Sequence, residues 1–124
     1  MEPMQIFLYV VLAAFLLIGA RRWFRRRSVP QIDPRAIPPG AVLLDVRTQA
    51  ERSRDAIPGS IHIPLQEFAG RTGELAKYQS SLIVCYCRSG NRSMTAALRL
   101  RKLGYSAGSL AGGIPNWKLT AGKR

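Results

Sequence analysis

Apolar residues are distributed along this chain in two ways. From residue 4 to residue 20 they run without a charge for 17 residues, dominated by Leu, Ile, Val, Phe and Ala. Beyond that, short apolar runs alternate with segments whose apolar positions recur at helical spacing. Residues 42–46 and 82–86 are continuous runs, the pattern of strands buried on both faces. The segment around His62 reads as a strand between them. Met94, Ala97, Leu98, Leu100 and Leu103 form an apolar stripe with Arg99, Arg101 and Lys102 between them, and Gly104 stops that helix. Residues 105–110 read as the last strand. Gly112-Gly113 then permits a turn into a short helix carrying Trp117 into the core. Gln31-Ile32 fits a very short first strand, and Asp33-Pro34 can cap a helical turn after it. Residues 48–56 are polar and irregular or briefly helical; residues 65–70 and 74–77 suggest helical turns. Strands alternating with helices predict an α/β fold: a parallel sheet of about five strands, helices on both faces, preceded by one transmembrane helix.

The first run needs a separate reading. Seventeen residues of helix span about 25 Å, short of a hydrocarbon core of about 30 Å. Trp23 and Phe24 extend it, and arginine stems can snorkel to the headgroups. A cleaved signal peptide carries positive charge before its apolar region. Here Glu2 precedes it, and Arg21, Arg22, Arg25, Arg26 and Arg27 follow. Residues 1–27 are therefore expected to be a single-pass membrane anchor (span about 4–20) with a basic flank that stays cytoplasmic, together with the domain behind it. Residues 28–40, with Pro30, Pro34, Pro38 and Pro39, read as a Pro-rich linker and lead-in, and residues 41–124 as the domain.

The chain carries a net charge of +12, and residues 28–124 hold fourteen Arg or Lys against six acids. Such a surface attracts anions. Anionic substrates, anionic lipids beneath the anchor and nucleic acid all match it. No nucleic-acid motif is present, and a tether favours lipid, so membrane lipids are the expected partner of the helix and the Arg21–Arg27 cluster, and nucleic acid is not. The two cysteines, Cys85 and Cys87, are too close for an ordinary structural bridge. Cys85 reads as a small buried hydrophobe.

Cys87 ends an apolar strand, meets a loop of Ser, Gly and Asn, and precedes a helix. Thiolate is the nucleophilic form of cysteine, and its pKa falls near helix N-termini and cations. Free N–H groups of the loop and helix, with Arg88 and Arg92, would form a cradle for an anion. Such a loop could also hold a second, terminal sulfur anion.

Cys-Arg-Ser-Gly-Asn-Arg-Ser, residues 87–93, resembles the active-site loop of the rhodanese family of sulfurtransferases. Three further segments resemble that family in order: Asp45-Val46-Arg47 its Asp-x-Arg strand end, Ile57-Pro58-Gly59-Ser60 its Ile-Pro-Gly-Ala turn, and Gly112 to Trp117 its closing Gly-Gly-x-x-x-Trp. The resemblance spans about residues 29–118. It implies a persulfide enzyme: Cys87 takes sulfur from thiosulfate or a similar small sulfur anion and passes it to a thiol or protein acceptor, with ping-pong kinetics and no cofactor or metal. Arg88, Ser89, Gly90, Asn91 and Arg92 would form the substrate-binding loop, with Asp45, Arg47 and Ser93 as supporting groups. Asp45 and Arg47 are expected to organise hydrogen bonds and ion pairs rather than touch substrate. The chain departs from the pattern at Arg52, where an aromatic is usual, and at Asp55-Ala56, where Gly-His is usual. His62, the lone histidine, is expected to be a half-buried strand residue.

Three other readings stay open. A phosphatase or arsenate reductase of the same fold would use Cys-x5-Arg, but Arg92 is the fifth residue after Cys87 and the sixth is Ser93. A non-catalytic membrane adaptor typically loses the cysteine. A protein persulfide carrier would share the chemistry and differ in partners.

Overall fold

The strongest apolar runs form the middle of one sheet. The computed structural model describes residues 1–121, the side chains of residues 25–27 excepted. Arg25, Arg26 and Arg27 of the basic flank, and the last three residues of the expected domain, thus lie outside the described groups. Strands β1 (Gln31–Ile32), β2 (Val42–Asp45), β3 (Ile61–His62), β4 (Ile83–Tyr86) and β5 (Ala107–Leu110) make a five-stranded parallel sheet in the order β1-β5-β4-β2-β3. Helices α1 (Pro3–Ser28), α2 (Gln49–Arg54), α3 (Phe68–Arg71), α4 (Asn91–Lys102) and α5 (Gly113–Ala121) alternate with them. Short 3₁₀ turns at Pro34–Ala36, Leu65–Glu67 and Thr72–Tyr78 complete the connections.

All four residues of β4 are buried, because both faces of the sheet are covered. Their side chains alternate between two cores. Ile83 and Cys85 join Leu44, Phe68, Leu75, Ala97 and Leu100 on one face. Val84 and Tyr86 join Ile57, Leu110 and Ile114 on the other, with half-buried Trp117 against them. Trp117 therefore packs as its position suggests.

One boundary differs from the sequence reading. The last strand begins at Ala107, not at residue 105. Gly104 turns the chain at φ 95°, and Tyr105 N–H donates to Leu100 O at 3.0 Å, so this residue closes α4 rather than extending the strand. The Pro-rich stretch is built into the domain: Val29 is buried, and Pro30 O and Ile32 O accept from Ser109 N–H and Ala111 N–H.

Helix α1 continues past the apolar run. Its segment Pro3–Phe24, 22 residues that contain an 18-residue window of mean hydropathy 2.1, is long and apolar enough to cross a membrane, and none of that window is buried. Trp23 and Phe24 stack edge to face at 5.3 Å. The foot of α1 meets α4 at a cavity of about 610 Å³ lined by Ile18, Arg21, Phe24, Ser28, Leu98 and Lys102.

Candidate active site

Cys87 is the first residue beyond β4, at the carboxyl edge of the sheet, where open α/β folds place their sites. The next three residues reverse the chain. Gly90 sits at φ 104°, a conformation that glycine adopts without strain, and caps α4. This aims the Gly90 N–H at Cys87 Sγ, 3.0 Å away. Ser93, one turn into α4, brings its hydroxyl to 3.5 Å from the sulfur. Burial pushes the Cys87 thiol up, but bonds from the Ser93 hydroxyl and from the backbone N–H groups of Ser93, Gly90 and Ser89 outweigh it and bring it below the ordinary thiol value. These donors are N–H and O–H groups, which suit an anion rather than a cation. Cys85, two residues back, is buried without such donors. Burial first, then the neighbouring Cys87, push its thiol up, so it stays neutral at physiological pH.

The structure separates the other expected site residues by what they touch. Arg88, Ser89 and Asn91 are exposed on the loop. Arg88 lines a cleft of about 340 Å³ with Glu51, Arg54, Asp55, Pro115 and Lys118. Ser89, Gly90 and Asn91 border a second cleft of about 290 Å³ with Gln31, Met94 and Gly112. Cys87 has no exposed surface.

Arg92, expected to join the cradle around the sulfur, is paired with a carboxylate from α2. Both terminal nitrogens of its guanidinium donate to the Glu51 carboxylate, Nη1 to Oε1 at 2.5 Å and Nη2 to Oε2 at 2.9 Å. Its charge still acts on Cys87. Glu51 itself is fixed by a capping box at the start of α2: it accepts from Thr48 N–H at 3.2 Å and its own N–H donates to Thr48 Oγ1. The Arg92 bond lowers the Glu51 carboxyl to about 2; burial opposes this and the Thr48 bonds assist. A carboxylate depressed in the folded state stabilises the fold above its unfolded pKa and loses that contribution as pH falls through its folded one. Glu51→Gln should therefore abolish a stability component that the native chain loses between about pH 4.5 and 2. Both side chains are partly exposed, so the component is about 1 kcal/mol or less. Urea midpoints of the two proteins across that interval should converge at its acid end; a gap that stays constant would remove the assignment.

Asp45 and Arg47 act away from the thiol. Asp45 is fully buried and accepts from Arg47 N–H at 2.9 Å, Arg47 Nη2 at 2.9 Å, Tyr86 Oη–H at 3.2 Å and Arg52 Nη1 at 3.3 Å. Arg47 continues to Asp55 Oδ1 at 2.9 Å, and Lys118 also pairs with Asp55. The Arg47 pKa is raised: burial opposes this, and the Asp45 and Asp55 bonds outweigh it. Arg52 and Asp55, the positions that depart from the family pattern, are thus woven into one ion-pair network. Arg52 also donates to Ser60 O at 2.8 Å. His62 Nε2 bonds Arg47 O at 2.8 Å and stays half-buried on β3.

Four residues around the Cys87 loop are absent from the sequence-based site. Glu51 had a readable signal in Thr48-x-x-Glu51. Ser109, buried on β5, lies 2.7 Å from Ser93 Oγ. Gly113 packs directly on the backbone of the loop: a Cβ there would meet Arg88 O and come within 2.6 Å of Cys87 O. Ile114 N–H donates to Cys87 O at 3.0 Å from the same turn.

With this geometry, a family model for the rhodanese-like domain matches residues 32–120. The chain belongs to the rhodanese-like family. Its relatives include sulfurtransferases. Over 77 residues this rhodanese-like chain is 38% identical to a sulfurtransferase of Allochromatium vinosum, covering 61% of this chain and 70% of that one. Over 83 residues it is 34% identical to a tRNA sulfurtransferase of Desulfurococcus amylolyticus, covering 67% of this chain and 16% of that longer protein. The rhodanese-related protein of Thermoplasma volcanium superposes with a TM-score of 0.67 at 28% identity, over 73% of this chain and 91% of that one. The five-stranded parallel sheet is thus the rhodanese-like fold.

Proposed function

We propose that this rhodanese-like chain is a sulfurtransferase that moves sulfane sulfur from thiosulfate or a similar donor to a thiophilic acceptor through a Cys87 persulfide. The observation that carries the reading is the sulfur itself: Cys87 Sγ receives the Gly90 N–H at 3.0 Å at the N-terminus of α4, and its donors draw the thiol below its ordinary value, toward the nucleophilic thiolate. The thiolate attacks the outer sulfur of thiosulfate. A bond forms between Cys87 Sγ and that sulfur as the donor S–S bond breaks, and sulfite leaves with the electron pair. Cys87-S-S⁻ remains, and the acceptor nucleophile then takes the terminal sulfur and regenerates the thiolate. The amides of Ser89, Gly90 and Asn91 would face the donor anion and the terminal sulfur, and Arg88 would draw anions to the cleft. Arg92 and Glu51 brace α4 against α2, while Asp45 and Arg47 keep the strand ends in place. A protein persulfide donor or acceptor would use the same sulfur.

Phosphate chemistry fits less well. The sixth position after Cys87, where a Cys-x5-Arg loop keeps its anion-binding arginine, holds Ser93, a buried hydroxyl. Arg92 is already engaged by Glu51.

The test is intact-protein mass spectrometry after thiosulfate treatment. The native chain should gain one sulfur atom that cyanide removes, mapping to Cys87. No added sulfur, with aryl phosphate hydrolysis in its place, would refute the reading.

We further propose that α1 anchors the domain to a membrane with the basic foot and the catalytic domain on the cytoplasmic side. A helical stretch uncharged from residue 4 to residue 20 and exposed along those residues would be satisfied by lipid. The full chain should stay in the membrane pellet through an alkaline wash; release into the supernatant would refute the anchor.

A further inference from the structure

We propose that Ser109 is a positioning residue for the nucleophile: its hydroxyl holds the Ser93 hydroxyl with its proton aimed at Cys87 Sγ whenever that sulfur is anionic. The inference rests on the reading of Cys87 as the nucleophile.

Ser109 lies on β5, in register with Cys85 of the neighbouring β4. Its side chain and that of Ser93 are fully buried, and their oxygens are 2.7 Å apart. A buried hydroxyl is costly unless it is bonded, and alanine would fill most of the same space, so the hydroxyl needs a reason. The proton count supplies one. Ser93 Oγ has a single proton and three neighbours: Cys87 Sγ at 3.5 Å, Gly90 O at 3.0 Å and Ser109 Oγ at 2.7 Å. With a neutral thiol, the S–H donates to Ser93 Oγ and Ser93 donates to Gly90 O. A thiolate can only accept, so the Ser93 proton must turn to the sulfur. The Ser93 oxygen then loses its S–H donor in a site that water does not reach. Ser109 O–H is the donor within reach. Gly90 O tolerates the exchange because it keeps the Met94 N–H at 3.0 Å. The two hydroxyls thus form a chain that settles into one direction when the sulfur ionises, and Ser109 sets that direction.

Other groups act on the charge of Cys87 as well: Cys85 from β4, and Arg92 from α4, itself paired to Glu51 of α2. None of them contacts Ser109 by a hydrogen bond among the described residues, so a substitution at 109 leaves them in place.

The experiment titrates the ultraviolet absorbance of the Cys87 thiolate in the full chain in detergent micelles, with the Cys87→Ser signal subtracted. Ser109→Ala should weaken the acid ionisation of Cys87 by about three- to tenfold. Ser109→Thr, which keeps the hydroxyl, should restore it. Ser93→Ala should give a shift at least as large, and the double variant should add little to it, because Ser109 acts through Ser93. The rate of sulfur uptake from thiosulfate should fall by the same factor below the titration midpoint and recover fully above it. An unchanged midpoint in Ser109→Ala, shifts that add in the double variant, or a rate deficit equal at every pH would overturn the inference. If the midpoint moves as expected while the native chain takes up no sulfur, the positioning role of Ser109 stands and the sulfurtransferase reading falls.

Discussion

Cys87→Ser should take thiosulfate:cyanide sulfur transfer below detection, a loss of at least about 10³-fold. The serine oxygen cannot carry the transferred sulfur as a persulfide, and its hydroxyl stays protonated where the thiol ionises. The fold should survive, because the side chain changes by one atom in a site already lined by hydroxyl and N–H donors. Cys85 is the internal control. It sits two residues away in the same core, equally buried, yet nothing stabilises its anion. Cys85→Ala should keep most of the turnover and lower stability by about 1 kcal/mol through the space it leaves. Turnover and urea midpoints measured side by side separate the two thiols. Equal loss of turnover in both variants would mean a two-thiol mechanism and end the single-nucleophile reading.

Gly113→Ala should be the most damaging change of a glycine. Gly113 has φ 65°, where a side chain costs about 1–2 kcal/mol. The added methyl would also press on the Arg88 and Cys87 carbonyl oxygens, which are backbone and cannot rotate away. Overpacking of that kind adds about 1–3 kcal/mol. For a domain of this size the melting temperature should fall by about 10 °C or more. Gly59 separates the two contributions. It has φ 80° with open space around its Cα, so Gly59→Ala bears the conformational cost alone. Sulfur transfer should drop with Gly113→Ala even at temperatures where the protein stays folded, because the strained atoms belong to the loop of the proposed nucleophile. Indistinguishable thermal shifts in the two variants would show that the contact on the loop carries no energy.

What the sequence made legible follows the range of the interactions. β4 is a continuous apolar run, β2 is apolar up to Asp45, and residues 87–93 hold the proposed nucleophile, turn and helix start within one contiguous stretch, so they could be read locally. The apolar run of α1 was legible too, although Trp23 and Phe24 lengthen it beyond the uncharged residues. The contacts of Ser109 and Gly113 with the loop were not, although the Gly112-Gly113 turn was, because nothing in their local pattern tells that the chain crosses over to set β5 beside β4 and its following turn on the Cys87 carbonyl. The partner of Arg92 was not legible for a similar reason. Loop contiguity puts it near the sulfur, but its charge is claimed by a carboxylate 41 positions earlier in the chain. The Thr48-x-x-Glu51 box announced where that carboxylate would be fixed, without naming the cation it would hold.

The contact between the foot of α1 and α4 also sets a height. Leu98 and Lys102 meet α1, whereas Asn91 at the other end of the same helix borders the cleft beside the sulfur. At 1.5 Å per residue, about 10–17 Å of rigid rod separates the two. With α1 in a bilayer, the thiol is carried at a near-constant distance from the headgroup plane and moves with the lipid. A sulfur donor or acceptor held in the same membrane then meets it by a search in two dimensions, at an effective concentration set by the reach of both tethers rather than by the volume of the cell.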